Sequence, residues 1–237
     1  MTDYSIGIKV FDDVVEAIKN CSNIMLIGPP MNGKETIMND IVYQALKAGG
    51  SAVIVNTRDT GEIVIDWFNY NHPDITLENL SIVDCVTKTM GVPTIDIANI
   101  KRASSPADLT DIGVKISQFL EYFRIKKNTQ KTTLCINSLS TILMYSNIQT
   151  VFRFLHVFTN RVKAAGARGI YVVEEGMHDE QAITTLKQLC DGIIEVKSEN
   201  NVNLIRIVGI FPKPTSWFEF EIDKAKVIIG NVRDWNT

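Results

Sequence analysis

Gly28-Pro29-Pro30-Met31-Asn32-Gly33-Lys34-Glu35-Thr36 follows the apolar run Ile24-Met25-Leu26-Ile27 and precedes a helical spacing of apolar residues at Met38, Ile41, Val42 and Leu46. A strand, a glycine-bounded loop ending in lysine, then a helix is the context in which a P-loop binds phosphate. Backbone N–H groups of such a loop and the start of the helix together cradle an anion. The Gly-x4-Gly-Lys spacing is intact, but Glu35 stands where a Ser or Thr hydroxyl ordinarily holds Mg²⁺. The nine residues are candidates for nucleotide binding, and the acid among them puts hydrolysis in question.

Working outward, short apolar runs alternate with helical patterns through most of the chain. Strands are expected at 23–28, 52–57, 80–84, 132–137, 169–174 and 192–197, and helices at 10–20, 34–48, 60–70, 107–126, 148–165 and 179–189. Such alternation predicts an α/β fold with a mostly parallel central sheet flanked by helices. Ser105 is the expected N-cap of the helix at 107, with Pro106 as its first residue, and Gly166 suits the C-cap of the helix before 169. Residues 203–211, 217–222 and 225–230 leave no room for helices, so antiparallel strands are expected at the C-terminal edge. Residues 86–106 read as a long connection, of a length that is often functional.

The composition narrows the class. With 237 residues, 45% of them apolar and 22% charged, the chain suits one globular domain over 1–237. Its net charge of −3 argues against a nucleic-acid-binding charge excess, so a nucleic-acid partner is only weakly supported. The cluster Arg124, Lys126, Lys127 and Lys131 reads as a solvated helix end. No apolar run reaches the ~18 residues of a spanning helix and the N-terminus is polar, so no membrane insertion and a cytoplasmic location are expected. Cys21, Cys85, Cys135 and Cys190 lack metal spacing, and His72, His156 and His178 form no ligand pair.

A second segment, Thr133-Leu134-Cys135-Ile136-Asn137-Ser138-Leu139-Ser140, is an apolar strand about a hundred residues after the loop. It resembles the Walker B segment of RecA/KaiC-type ATPases. Ala48-Gly49-Gly50 before Val53-Ile54-Val55, Ser105-Pro106-Ala107-Asp108-Leu109-Thr110, Arg168–Glu174 and Cys190-Asp191-Gly192 extend the likeness over roughly residues 20–230. The chain is similar to single-domain archaeal KaiC-like proteins, including RadA paralogs and the archaellum subunit FlaH. The resemblance implies a RecA-like P-loop fold, ATP or ADP as ligand, Mg²⁺ beside it, and a protein partner or self-association.

The same resemblance locates three departures. Glu35 replaces the Mg²⁺-binding hydroxyl, Asn137 replaces the Walker B aspartate, and Arg58-Asp59 replace a pair of catalytic glutamates. A carboxylate ~4 Å from a phosphate charge costs about 4 kcal/mol at an effective dielectric of ~20. An acid in a helix's first turn gains only ~0.3–1 kcal/mol. Exchange of hydroxyl for carboxylate and carboxylate for amide keeps one negative charge, moved across the metal from position 137 to Glu35, and leaves Glu35 and Asn137 as the candidate Mg²⁺ ligands. Independent decay of an idle site explains the exchange equally. Asp59 and Glu174 are the remaining candidates to orient water, while Lys213 lies where ring-forming relatives carry bases that reach a neighbour's phosphate. The function implied is a nucleotide-responsive regulatory or scaffold protein with impaired hydrolysis. A slow ATPase, a DNA-recombination accessory protein and a nucleotide-free interaction module are the alternatives.

Overall fold

The computed structural model describes residues 23–91, 93–129, 131–210 and 212–233; the helix expected at 10–20 lies outside them. The chain runs β1 (Asn23–Gly28), α1 (Lys34–Lys47), β2 (Ser51–Asn56), α2 (Gly61–Asn71), β3 (Leu80–Asp84) and β4 (Ile100–Arg102). Then come α3 (Leu109–Glu121), β5 (Thr132–Asn137), α4 (Leu139–Tyr145), α5 (Ile148–Ala164), β6 (Arg168–Glu174) and α6 (Glu180–Lys187). Strands β7 (Gly192–Glu199), β8 (Val202–Val208), β9 (Trp217–Asp223) and β10 (Lys226–Arg233) complete the order.

All ten strands join one sheet, in the order β10-β9-β8-β7-β1-β6-β5-β2-β3-β4. Strands β7 through β4 in that order pair in parallel, whereas β8, β9 and β10 add antiparallel. This is the α/β architecture that the alternation of patterns implies. Successive residues of a strand point to opposite faces, and β1 uses both. Ile24 and Leu26 pack with Ile37, Met38 and Ile41 of α1. Met25 and Ile27 join Ile112 and Ile116 of α3 and Val151 and Leu155 of α5 on the other face. The crossover from β1 leads through α1 to β2, and the one from β6 leads back past β1 to β7. Their helices lie on opposite faces, so a crevice opens at the carboxyl ends of β1 and β6, where open α/β sheets take ligands.

Two local expectations are corrected and a third holds. The helix expected from 107 begins at Leu109, capped by Asp108, whose carboxylate accepts the Asp111 N–H at 2.9 Å. Ser105 instead accepts the Ala107 N–H at 3.2 Å, which holds Pro106 and Ala107 in a turn before the helix. Beyond Glu121 the helix widens into a π-helical stretch, Tyr122–Lys126. Gly166 lies one place past the C-cap Ala165, at φ +65°, a conformation glycine adopts without strain.

The connection at 86–106 contains an edge strand, β4, and is pinned by a buried carboxylate. Asp84 at the end of β3 accepts N–H groups of Val86 (2.8 Å), Thr87 (2.9 Å) and Gly61 (3.0 Å). Burial pushes its pKa up, but the bonds from Thr87, Gly61 and Val86 outweigh burial and hold it below the ordinary value. Arg102, also buried, approaches Asp84 at 3.8 Å and bonds Glu62 and the Ile95 carbonyl. The C-terminal strands are tied back similarly: the Val227 N–H donates to Asp40 of α1 at 3.1 Å. Among the described residues no helix is long and apolar enough to cross a membrane.

His72, 1% exposed, stacks on Tyr43 at 4.0 Å and meets the edge of Trp67. Neither ring nitrogen has a hydrogen-bond partner, and burial holds its pKa below the ordinary value. The folded chain therefore keeps this ring neutral while the unfolded chain protonates it below about pH 6.5, so its contribution to stability falls as pH drops through that value. His72→Phe, which suits the same aromatic surroundings, is expected to gain melting temperature relative to the parent between pH 7.5 and 5.5. Parallel melting curves across that range count against a neutral, buried His72.

Candidate functional site

The loop Gly28–Gly33 leaves β1 at this crevice and turns into α1. Gly33, at φ +84°, stands at the N-cap. A Cβ on Gly28 falls 2.4 Å from the Val196 carbonyl oxygen, so the tight approach of loop to β7 requires glycine there. Met31 adopts φ +59° and is 97% exposed. A left-handed conformation costs an ordinary side chain roughly 1–2 kcal/mol, which explains why glycine suits such a place. Asn32 braces the loop, its amide nitrogen donating to the Val196 carbonyl at 3.4 Å. Pro30 is exposed and Pro29 half-buried.

Lys34 folds back into its own loop and is buried. Its Nζ lies 2.9 Å from Gly28 O, 2.5 Å from Pro29 O, 3.0 Å from Asn32 Oδ1 and 2.8 Å from Glu174 Oε2. An ammonium has three N–H donors, so four oxygens compete for them. Glu174 is the charged member of the four, so its Oε2 shares the ammonium with three neutral oxygens. Burial lowers the Lys34 pKa, opposed by the bond and charge of Glu174. Glu174 itself is fixed by its backbone, whose N–H donates to Ser140 Oγ at 2.9 Å.

Glu35 and Asn137 meet: the Asn137 amide nitrogen donates to Glu35 Oε1 at 3.2 Å. Asn137 Oδ1 is buried and without a donor. The Arg58 guanidinium lies 3.8 Å from both Glu35 and Glu174. The Asn56 side chain sets this turn, donating to Asp59 O at 2.8 Å and accepting the Arg58 N–H at 3.4 Å. Asp59 makes no ion pair among the described residues; with Thr36, Glu35, Asn137 and Trp67 it lines a cavity of about 240 Å³. Two cations (Lys34, Arg58) thus face two carboxylates (Glu35, Glu174) around the loop.

Other candidates stay apart. Lys213 is exposed beyond β8. Among the described residues no group of three or more His, Cys, Asp or Glu is arranged to hold a metal. Cys135 is buried and its thiol pushed up to about 12 by burial, which suits packing and not reactivity. One contributor has no local sequence signal: Ile222 of β9 lies over Gly33, close enough that a Cβ there falls 2.4 Å from its Cδ1.

The chain belongs to a family of unknown function, DUF7504, whose model matches residues 22–196. No curated protein matches the sequence. Among solved structures it is similar to a KaiC-like protein from the hyperthermophilic archaeon Pyrococcus horikoshii, with 14% identity and a TM-score of 0.69 over 97% of this chain and 99% of that one. It is also similar to an uncharacterised Pyrococcus horikoshii protein in complex with an unknown peptide, with 15% identity and a TM-score of 0.72 over 96% and 98% of the two chains. The fold is therefore that of KaiC-like, RecA-type proteins.

Removing one partner of a buried ion pair leaves the other charge uncompensated, at a cost of about 3–5 kcal/mol. Lys34→Met is accordingly expected to lower stability in urea by ~3 kcal/mol, the lower end because Arg58 is also near Glu174. Adding Glu174→Gln to Lys34→Met should return part of that loss. Strictly additive losses in the double variant indicate that the two side chains do not act as a pair.

Proposed function

We propose that this DUF7504 protein is a single RecA/KaiC-like unit over residues 1–237 that binds ATP or ADP and hydrolyses it slowly or not at all. It acts as a nucleotide-responsive regulatory or scaffold protein. The observation that carries the reading is the pairing of an intact cradle with closed metal stations. The cradle has the Gly28 approach that a Cβ would fill, the left-handed Gly33 and a buried ammonium. Beside it, Asn137 donates to Glu35.

These groups fit a nucleotide better than its metal. The N–H groups of Asn32, Gly33 and Lys34 at the start of α1 would hold a β-phosphate, and Thr36 in the first turn is the candidate for an α-phosphate contact. Glu35 and the orphaned Asn137 Oδ1 would hold Mg²⁺, but only one of these oxygen donors carries charge. Bound Mg²⁺ supplies charge neutralisation at the transferring phosphate. Phosphoryl transfer also needs a group to orient water. Glu174 is committed to Lys34, and Asp59 lines the neighbouring cavity. A slow ATPase using Asp59 or Glu174 is the rival reading.

A protein partner or self-association completes the proposal. Met31 and Met177 are exposed on the loops that leave the adjacent strands β1 and β6, 97% and 45% respectively. Exposed flexible methionines suit adaptable contacts. The neighbour solved with an unknown peptide is consistent with such a use of the fold.

Calorimetry with ATP and ADP is expected to detect binding that Lys34→Ala weakens markedly, and phosphate release over hours is expected to stay near background. No binding of ATP, ADP or GTP at millimolar ligand rejects the nucleotide reading in favour of an interaction module. Turnover of about 1 per second, within the ordinary enzyme range, rejects impaired hydrolysis.

The exchanged pair gives a separate check. Glu35→Ser leaves the metal station without a carboxylate, and Asn137→Asp leaves it with two. The double variant is expected to bind Mg²⁺-nucleotide at least as well as the parent, and each single variant less well. Coupling above ~0.5 kcal/mol marks residues sharing one site; additive effects on Mg²⁺-dependent affinity mark independent decay.

A further inference from the structure

Without a ligand, a P-loop lysine has to be neutralised by something. Here it is neutralised from inside the chain. The Glu174 carboxylate reaches the Lys34 ammonium at 2.8 Å from the end of β6, the strand beside β1. Gly28 and Glu174 are register partners, so the carboxylate is anchored level with the mouth of the loop. It is almost fully buried, and the ammonium that Oε2 meets is shared with three loop oxygens. Such an oxygen is held by one shared cation, in a place where a phosphate oxygen gains the same charge and the backbone N–H groups besides.

We propose that Glu174 is a built-in stand-in for phosphate, which a ligand must displace from Lys34, and that it thereby restricts the loop to di- and triphosphates. The inference rests on the nucleotide reading above and assigns Glu174 a role in selectivity. A lone phosphate group offers Lys34 at most one charge more than the carboxylate already there and must give up part of its hydration, so exchange gains little. A di- or triphosphate brings further charge and oxygens that reach the loop amides, which the side chain of Glu174 does not. Arg58, 3.8 Å from Glu174 and half exposed, is placed to receive the displaced carboxylate. Glu35 and Glu175 are the other acids facing this cluster, and they oppose any anion that lacks such compensation.

Three proteins distinguish the outcomes: the parent, Glu174→Gln and Glu174→Asp, titrated calorimetrically with inorganic phosphate, pyrophosphate and ADP. Glu174→Gln is expected to lose thermal stability without ligand, yet to bind pyrophosphate and ADP at least tenfold more tightly than the parent. It should also bind inorganic phosphate, which the parent rejects at millimolar concentration. A purely structural role for Glu174 predicts weaker binding. If Glu174→Gln does not fold, Glu174→Asp, which keeps the charge but shortens the reach, is expected to bind ADP more tightly than the parent by a smaller factor. Parent binding with variants no tighter overturns this inference and leaves the nucleotide reading standing. Failure of all three proteins to bind any of the probes overturns both.

Discussion

Strand β1 is the constraint on which the rest of the molecule depends. It is buried on both faces and paired on both edges, with β6 on one side and β7 on the other. One alternate set of its side chains belongs to the core under α1 and the other to the core under α3 and α5. A segment held in this way cannot shift register without moving apolar residues to the wrong face. The loop at its carboxyl end therefore starts from a fixed point, and Gly28 is pressed so closely on the Val196 carbonyl that no larger residue fits.

Electrostatics at the loop follow from that rigidity. Lys34 is drawn into a ring of fixed oxygens in which the only charged member is Glu174. Glu35 is excluded from that ring and turns to Asn137 and Arg58. The two acids thus divide the work: one compensates the lysine, while the other closes the station beside it. Arg58 stands 3.8 Å from each and links them.

The parallel core was legible because strand and helix periods differ and because Gly and Lys mark the turn after β1. The segment 203–230 was read as strands for want of helical spacing, and the structure agrees with small shifts at their ends. What escaped was decided by contacts distant in sequence. The three-residue strand β4 has too little pattern to announce itself, and it exists because Asp84 and Arg102 gather the connection at the sheet edge. The start of α3 went to Asp108 because Ser105 was already engaged in a turn. At the site, the exchange between Glu35 and Asn137 came from comparing motifs, and the structure brings the two side chains together. The pairing of Lys34 with Glu174 and the approach of Arg58 to Glu35 and Glu174 join residues far apart in sequence, with no local pattern to mark them.

The C-terminal strands bear on the order in which the molecule is made. Ile222 covers Gly33, and Val227 donates its N–H to Asp40 of α1. Every strand of the parallel core has left the ribosome before these residues emerge. A nascent chain can thus assemble its central sheet while the outer wall of the loop is still missing. The loop attains its final surroundings only once β9 and β10 have emerged, which delays ligand capture until those strands are in place.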